Sequence, residues 1–468
     1  MPSVPPPLYD GSPDKSSSAQ KTPVSRRRFV ALSAVAATAV SGLRLSGLTD
    51  DKSTASAVDG ACTTIPDTPT AERPEPQENW RDFSAAETTL AFRNHGLQGE
   101  LLREAITPLG AHYLLIHFDI PKLSAPGYQI AIGGRVRRPA RISIDSLKAR
   151  QMVTQVVTME CAGTGRSTVH PRSVYVPWAK EDIGTYQWTG TPLKSILEQA
   201  GLLDDAVEVL FTGWDSGVDL GVEHAFERSL PIAEALRDEV MLAWAANGQA
   251  LLPQHGFPLR VIVPRYYGMA SVKWLRAITV LNEPFKGVEQ AKVYRYQQVK
   301  GESGEPVTIK RVHSAIMPPG IPDAISRHRF LAPGTHEIRG TAWSGSGRIT
   351  RVEVSYNDGA SWRDAELVRV SQDPFAWTQW RTVWDVSTPG DYVLASRATD
   401  VAGNTQPLDP QERWNRQGMG INGVQRVPVT VHAGIGSAGL MVPSTARAAI
   451  AGAEVAPTGR VRNLLASP

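Results

Sequence analysis

The sequence contains very little cysteine. Only Cys62 and Cys161 occur among its 468 residues, which excludes the disulfide framework that stabilises many small exported domains. Each of the two thiols therefore needs an explanation of its own. Because 41% of the residues are hydrophobic, the chain can still bury a sizeable core, and its length suggests two or three domains.

Neither sign of charge is in marked excess. The chain has 49 Lys and Arg against 46 Asp and Glu, a formal net charge of +3, and no basic cluster recurs through its body. Since binding to nucleic acid depends on concentrated positive charge, we expect no nucleic-acid partner. The 40 glycines and 35 prolines favour many turns and short strands over a bundle of helices.

The apolar stretch at 31–43 is too short to span a bilayer. It follows Ser25-Arg26-Arg27-Arg28-Phe29-Val30, which matches the twin-arginine export signal, and it precedes Ala55-Ser56-Ala57, a small-residue cleavage site. We predict a twin-arginine signal peptide over 1–57; the alternative is a disordered basic tail. The twin-arginine export machinery would then deliver a folded protein, often one with a cofactor, to the periplasm or another extracytoplasmic location, free or membrane-associated.

Two further segments lack the apolar periodicity of folded elements. Residues 58–90 are rich in Thr, Pro and Glu, which predicts an extended N-terminal arm in which Cys62 is a surface thiol. Residues 433–468 are rich in Ala, Gly and Ser, which predicts a flexible tail. The folded body is therefore expected between 91 and 432.

The pattern over 91–305 indicates a mixed α+β domain. Helix-like apolar spacing occurs at 192–201, where Gly201 ends the pattern, and at 231–237. Short apolar, β-branched runs predict strands at 113–116, 129–132, 153–158, 207–211, 259–263 and 277–281.

The pattern changes to one of strands without intervening helices over 306–432. Alternating apolar and polar residues predict strands at 335–342, 351–356, 378–386 and 391–399, separated by turns such as Asn357-Asp358-Gly359. This spacing is typical of a β-sandwich, and we expect an immunoglobulin-like one.

Candidate chemistry is concentrated at Glu160-Cys161-Ala162-Gly163-Thr164-Gly165-Arg166. Cys161 comes at the end of an apolar strand, at a tight turn where backbone amides and the Arg166 guanidinium are expected to lower the pKa of the thiol. Such a thiolate is suited to be a nucleophile or a metal ligand, whereas the alternative is an inert buried cysteine. A cysteine protease also needs a histidine partner, and no local pattern identifies one.

This cysteine motif resembles that of the sulfite oxidase family of molybdenum enzymes, in which the thiolate ligates molybdenum held by a pyranopterin. Further segments match in the family's order between about 90 and 432, and together the ordered set is highly specific. They are Trp178, Trp188-Thr189-Gly190, Thr212-Gly213-Trp214-Asp215, His255-Gly256-Phe257-Pro258-Leu259-Arg260, Ser271-Val272-Lys273-Trp274-Leu275, Gly340-Thr341-Ala342-Trp343-Ser344-Gly345 and Arg397-Ala398-Thr399-Asp400.

The resemblance implies a molybdopterin-binding domain followed by an immunoglobulin-like dimerisation domain, and hence a homodimer. It implies molybdenum and molybdopterin (a pyranopterin dithiolene) as cofactors, with Cys161 as the protein's metal ligand. A soft thiolate suits molybdenum, and arginine suits the forked contacts of a phosphate. The residues that the resemblance places against the pterin are Arg93, Asn94, His95, Asp215, His255, Arg260, Ser271, Val272 and Lys273.

The resemblance also implies a substrate pocket with a catalytic group of Arg166, Trp178, His117 and Tyr294. The family's oxyanion-binding arginines match only in part, because Leu115 occupies one arginine position and Arg416 is displaced by one residue from another. Fewer charge-assisted donors weaken the preference for a small dianion. Arg416 or Arg93 would be the compensating cation.

Three functions follow as hypotheses. The first is oxidation of sulfite or a related sulfur oxyanion, with electrons passing to an external carrier such as a c-type cytochrome or a quinone system, since we expect no haem in this chain. The second is reduction of a sulfoxide or similar oxide at the same centre. The third is an exported binding protein whose metal site is vestigial.

Overall fold

A computed structural model describes residues 93–435. The predicted signal peptide over 1–57, the arm over 58–90 with Cys62, and nearly all of the tail predicted over 433–468 therefore lie outside the described residues. Within 93–435, no helix is long and apolar enough to cross a membrane.

Strands dominate the described chain. In the N-terminal part they are β1 (Asn94–His95), β2 (Leu114–Leu115), β3 (Gln129–Gly134), β4 (Ala140–Ser143), β5 (Val153–Glu160), β6 (Ile183–Pro192), β7 (Glu208–Asp219), β8 (Val222–Pro231), β9 (Met241–Ala246), β10 (Gln249–Ala250), β11 (Arg260–Ile262), β12 (Leu275–Leu281), β13 (Arg295–Tyr296) and β14 (Glu305–Pro306). In the C-terminal part they are β15 (His313–Ile316), β16 (Ile321–Pro322), β17 (Arg329–Leu331), β18 (Gly334–Trp343), β19 (Ile349–Ser355), β20 (Arg363–Asp364), β21 (Glu366–Arg369), β22 (Thr378–Val386), β23 (Gly390–Asp400) and β24 (Gln425–Val431).

Helices are few and short. The α-helices of the described chain are α1 (Ile144–Lys148), α2 (Leu193–Ala200) and α3 (Ile232–Ala235). Single turns of 3-10 helix occur at Gly99–Arg103, Arg166–Thr168, Pro253–His255, Gly268–Ala270 and Pro410–Arg413, and a π-helical turn covers Glu289–Val293. Helix α2 buries its apolar positions and ends at Gly201, whose φ of 71° suits glycine.

The N-terminal part contains two five-stranded sheets. One has the order β4-β3-β12-β7-β8, and in it β12 runs parallel to β3 and antiparallel to β7. The other has the order β10-β9-β6-β5, with β11 also paired to β9. The predicted strand at 153–158 extends to Glu160 in this second sheet, where Glu160 pairs with Ile183. Cys161 therefore follows directly after the edge strand β5.

The C-terminal part is built from a four-stranded sheet, β15-β18-β22-β21, and a six-stranded sheet, β16-β17-β24-β23-β19-β20. One apolar core contains residues of both sheets, including Ile338 and Trp380 from the first and Val352 and Leu394 from the second. The alternating apolar residues of these strands are therefore buried between the two sheets, as the sequence pattern predicts.

The predicted strands and both predicted helices form, most of them with ends shifted by one to several residues, whereas the strand predicted over 378–386 has the ends of β22. The expectation of a mixed α+β domain is confirmed only in part, because strands dominate and α1 and α3 are only five and four residues long. Short apolar segments pack equally well as strands or helices, and here their neighbours in the sheets decide the outcome.

Candidate functional site

Cys161 lies between two cavities. The first is narrow, about 60 Å³, and is lined by Cys161 together with residues of β7, β11 and the loops around them. The second, about 230 Å³, is lined on its own side by Arg166 and Tyr175. The side chains of Leu115, His117, Cys161 and Tyr294 line both. A group attached to the Cys161 sulfur would therefore face both cavities.

The C-terminal part of the chain holds the cysteine loop in place. Trp343 of β18 donates its indole N–H to Glu160 Oε2 at 2.8 Å. The backbone N–H of Gly420 donates to the carbonyl of Ala162 at 2.7 Å, and Arg166 Nε donates to the carbonyl of Gln417 at 3.0 Å. Because these buried bonds join segments distant in sequence, the geometry at Cys161 depends on the packing of both parts.

The first cavity is lined by buried polar atoms that stay unpaired among the described residues. Asp215 Oδ1, His255 Nε2 and Arg260 Nε have no hydrogen-bond partner within residues 93–435. Leaving such atoms unpaired costs about 1–3 kcal/mol each, which favours a polar group that would pair with them. Arg260 is itself held rigidly, since its two terminal nitrogens donate to the carbonyls of His255 at 2.8 Å and Ser271 at 2.9 Å.

The charges of this cavity suit an anionic ligand. Burial lowers the pKa of His255 to about 2, so its imidazole is neutral. Arg260 keeps its charge although burial lowers its pKa to about 10. Burial and the nearby Arg260 lower the pKa of Lys273 to about 7, against the effect of Asp215. An incoming phosphate would favour the protonated lysine.

These polar groups fit a pyranopterin that carries a phosphate. Arg260 and Lys273 offer positive charge to the phosphate, and Asp215 and His255 offer unpaired positions to polar ring atoms. Because the cavity is narrow, what matches the pterin is the set of hydrogen-bonding groups and not the cavity volume. Among the described residues, no group of three or more His, Cys, Asp or Glu is arranged to hold a metal, so the remaining ligands of a metal at Cys161 would have to come from the cofactor.

The predicted pterin-binding residues divide into three groups. Asp215, His255, Arg260, Ser271 and Lys273 line the first cavity.

Arg93 and Asn94 line the second cavity instead, where Arg93 donates to the carbonyl of His117 at 3.1 Å. His95 and Val272 line neither. His95 is exposed on β1, and Val272 is buried in the apolar core. Val272 lies between two cavity residues because alternate side chains of an extended segment point in opposite directions.

The expectation of a lowered thiol pKa was wrong. Burial, followed by the nearby Asp182 carboxyl, raises the pKa of Cys161 to about 12, and the opposing effects of Arg166 and the Gly163 amide are smaller. The Gly163 N–H is 3.4 Å from the sulfur. Without a metal, Cys161 is therefore a thiol and a poor nucleophile, whereas a coordinated metal deprotonates it. Of the alternatives that the sequence left open for Cys161, the raised pKa therefore argues against a nucleophile.

Arg166 lies in the wall of the second cavity and is 4% exposed. Its Nε and one terminal nitrogen donate to the carbonyls of Gln417 at 3.0 Å and Val176 at 2.7 Å. Carbonyls do not neutralise the guanidinium, so its positive charge faces the cavity. Gly163 makes room for it, because a Cβ at Gly163 would be 2.6 Å from a terminal nitrogen of Arg166.

His117 and Tyr294 form a pair beside Cys161. The Tyr294 hydroxyl and His117 Nε2 are 2.7 Å apart. Burial and nearby Lys273 and Arg93 lower the pKa of His117 to about 3, while burial raises the pKa of Tyr294 well above its usual value. Both are neutral at pH 7, and the pair is suited to donating a hydrogen bond and not to holding charge.

The other residues discussed for the substrate pocket occupy different places. Leu115 does line the cavity, as does Arg93. Arg416 is exposed and lines neither cavity. Trp178, predicted in the catalytic group, also lines neither; it is 7% exposed and packs in an apolar cluster that contains Cys161 and Val176. The sequence match could not distinguish a Trp178 that contacts substrate from one that packs in the apolar core.

Glu289 and Asp219 are cavity residues that the sequence did not reveal. Both line the second cavity, and Glu289 is 2% exposed. Glu289 begins the π-helical turn before Tyr294, and Asp219 ends β7. No periodic signal marks either residue. The spacing of five residues between Glu289 and Tyr294 becomes informative only once the π-helical turn is known.

Comparison with known proteins gives consistent results for both parts of the chain. The profile of the "Oxidoreductase molybdopterin binding domain" matches residues 117–289, and that of the "Mo-co oxidoreductase dimerisation domain" matches residues 307–432. The chain is 32% identical over 352 residues to mitochondrial sulfite oxidase of Mus musculus, covering 71% of this chain and 63% of that protein.

Two further relatives support the comparison. Sulfite oxidase of Gallus gallus is 30% identical over 340 residues, covering 68% of this chain and 72% of that protein. The crystal structure of the sulfane dehydrogenase SoxCD from Paracoccus pantotrophus superposes with a TM-score of 0.61 and 24% identity over 80% of this chain and 97% of that chain. At that identity the superposition speaks for the fold alone.

Proposed function

The chain belongs to the sulfite oxidase family, and from that premise we propose that it is a molybdenum-cofactor oxidoreductase that oxidises sulfite or a related sulfur oxyanion and passes the electrons to an external acceptor. The chain spans about three fifths (63%) of the length of its mammalian relatives. The activity of the whole protein is therefore argued from its own residues.

One observation carries the proposal. Cys161 lies where a cavity with buried polar atoms that have no partner among residues 93–435 meets a second cavity with a buried arginine. The first cavity offers Asp215, His255, Arg260 and Lys273 to the pterin and its phosphate. The second offers Arg166 to an anionic substrate. A metal bound through the sulfur would be accessible from the substrate side and held from the cofactor side.

The chain's own residues have distinct roles in this proposal. Molybdenum held by the pyranopterin supplies two-electron oxygen-atom transfer when it is bound. Arg166 attracts and orients the oxyanion by a charge-assisted hydrogen bond. The Tyr294 hydroxyl, held at 2.7 Å by His117, would donate a hydrogen bond to a substrate oxygen in the second cavity. Burial of this pair keeps its donors preorganised, so less reorganisation is needed during the reaction.

Reduction of a sulfoxide is the second candidate, and a specific observation favours it. Leu115 puts an apolar side chain in the cavity at an arginine position, and Glu289 and Asp219 add carboxyls to the same cavity. Even with the exposed Arg93 in its wall, a pocket with one buried arginine and two carboxyls binds a dianion less strongly than one with several buried arginines. An uncharged oxide would not suffer from that repulsion.

Steady-state turnover of the purified holoenzyme tests the proposal. We expect sulfite to be oxidised with ferricyanide as acceptor, and we expect little reduction of a sulfoxide by reduced viologen. The reverse preference would replace the first function by the second. A folded protein that contains no molybdenum after production in a host able to make the cofactor would contradict both, in favour of a binding protein with a vestigial metal site.

We propose that the enzyme works outside the cytoplasm as a homodimer. The twin-arginine motif at 25–30 supports export in the folded, cofactor-loaded state, through the twin-arginine machinery and cleavage after Ala57. The two packed sheets over 306–432 would be an immunoglobulin-like module through which two chains pair. A separate electron carrier, such as a c-type cytochrome or a quinone system, would receive the electrons.

A further inference from the structure

Glu289 is a buried carboxyl that the proposed function leaves without a role. Its side chain is 2% exposed and lines the same cavity as Arg166 and Tyr294. The oxygen Oε2 has no hydrogen-bond partner within the described part of the chain. An unpaired buried carboxyl oxygen costs about 1–3 kcal/mol or more. Its place in the cavity makes it available to water or to a proton released there.

The second oxygen of Glu289 faces His224. Glu289 Oε1 and His224 Nε2 are 3.4 Å apart. His224 Nδ1 is 2.9 Å from the carbonyl oxygen of Val222. A carbonyl only accepts hydrogen bonds, so Nδ1 carries a proton, and in the neutral ring Nε2 presents its lone pair to Glu289. One proton can therefore be shared between Oε1 and Nε2.

His224 connects this carboxyl to the surface. It lies on β8, paired with Gly217 of β7, near the exposed end of the hairpin. Its side chain is 13% exposed, against 2% for Glu289. His224 is thus the more exposed member of the pair and lies on the solvent side of Glu289, and the neighbouring Glu223 is exposed.

Several charged or titratable groups surround Glu289. Asp219 of β7 lies on the same cavity, and Arg228 of β8 donates to the backbone carbonyl of Glu289 at 2.8 Å. Tyr175 and Tyr294 lie within electrostatic reach. Burial, followed by Asp219, raises the pKa of Glu289 to about 7, whereas His224 and Arg228 act in the opposite direction. The carboxyl is thus able to take up and release a proton near neutral pH.

We propose that Glu289 and His224 form a proton-transfer pair that carries protons from the substrate cavity to solvent. The inference rests on the proposed function, in which sulfite and water become sulfate, two protons and two electrons. The electrons leave one at a time to an external one-electron acceptor. Glu289 Oε2 takes up a proton, and Oε1 passes one to His224 Nε2. The imidazolium then loses its Nε2 proton to water, while Nδ1 keeps its proton in the hydrogen bond to the Val222 carbonyl, so the ring returns to its starting tautomer.

Turnover of three variants tests the pair. In Glu289→Gln, kcat for sulfite with ferricyanide should fall at least about tenfold at pH 8, because positioned proton transfer contributes about 10²–10⁴-fold. The wild-type kcat should rise with pH and level off above about 7, and this inflection should be absent in the variant. His224→Gln should reduce kcat by less, because water can reach Glu289 from the cavity. Glu223→Gln, an exposed neighbour, is the matched control and should behave like the wild type.

A second pair of measurements does not depend on turnover. Burial also raises the pKa of Glu160 to about 7 and of Asp215 to about 6, so the infrared difference spectrum between pH 5 and pH 9 should contain several C=O bands of protonated carboxyls. The component that is present in the wild type and lost in Glu289→Gln is the one that belongs to Glu289. The ¹⁵N resonance of His224 Nε2 should have the shift of an unprotonated imidazole nitrogen at pH 8. In the turnover assay itself, added formate or imidazole should restore part of the Glu289→Gln activity, because each is smaller than the cavity of about 230 Å³.

The outcomes separate the pair from the proposed function. If sulfite is turned over and Glu289→Gln keeps the wild-type kcat and pH profile, the relay is refuted while the function stands. If no sulfite turnover is found, the proposed function fails, and the infrared and ¹⁵N results still report whether Glu289 and His224 share a proton. A protonated Nε2 facing an ionised Glu289 throughout pH 5–9 would also overturn the relay, since a fixed ion pair carries no proton.

Discussion

Replacement of Arg166 by glutamine should separate an oxyanion substrate from an uncharged one. Arg166 is 4% exposed and lines the cavity with Cys161. Glutamine removes the positive charge but retains a side-chain amide. If the substrate is an oxyanion, the lost charge-assisted hydrogen bond is worth about 1.5–3 kcal/mol, which corresponds to a loss of about ten- to hundredfold in kcat/KM.

The same substitution should also affect stability. Arg166 donates to the carbonyls of Gln417 and Val176. Each carbonyl left without a donor in the buried interior costs about 1–3 kcal/mol. Urea unfolding therefore has to accompany the kinetics, and kcat/KM is compared at temperatures where both proteins are fully folded. Arg103→Gln is the control, because Arg103 is 62% exposed and pairs with the adjacent Glu104.

Leu115→Arg gives the complementary result. The Leu115 side chain lines both cavities, so an arginine there adds a donor to an oxyanion and should raise kcat/KM for sulfite. With an uncharged sulfoxide as the natural substrate, the same change buries an unpaired charge and should reduce turnover. Unchanged turnover of both substrates in both variants would refute the assignment of this cavity to the substrate.

Further outcomes follow from other residues of the site. Cys161→Ser should abolish turnover and lower the molybdenum content, because a hard hydroxyl replaces a soft thiolate poorly; elemental analysis checks it, and full activity without molybdenum would contradict it. Tyr294→Phe removes the hydrogen bond to His117 and should lower kcat more than it raises KM if the hydroxyl acts in the transition state; an unchanged kcat would contradict that role. Burial raises the pKa of Glu289 to about 7, above about 4.3 in the unfolded chain, so the folded state binds this proton more tightly. Its contribution to stability is complete below about pH 4.3 and is lost as the pH rises through about 7, so wild-type stability should fall relative to Glu289→Gln over that range, by at most about 1.4 kcal/mol per pH unit in urea unfolding; a parallel pH dependence would contradict the raised pKa. Light scattering at micromolar concentration should give the mass of a dimer, and a monomer mass would mean that the sandwich only covers the site in its own chain.

The local pattern of the sequence was sufficient for the strands and for the central motif. Apolar alternation predicted the strand over 378–386 with the ends that the structure gives to β22, because residues with period two pack only when one face is buried. Gly201 predicted the end of α2, because glycine readily adopts the positive φ that it has there. The family resemblance carried by the order of motifs around Cys161 predicted residues that contact a pterin, and five of them line the first cavity together with Cys161.

The tertiary structure decided which groups of the site are protonated and which residues line its cavities. The pKa of Cys161 depends on how much water is excluded, and the burial that raises it comes from segments far apart in sequence. Trp178 matched a motif, yet packing put it outside both cavities. Glu289 and His224 are 65 residues apart, and no local pattern encodes their contact. Periodicity reports which face of a segment is buried, whereas contacts between distant segments, and the electrostatic fields they create, exist only after the sheets have packed.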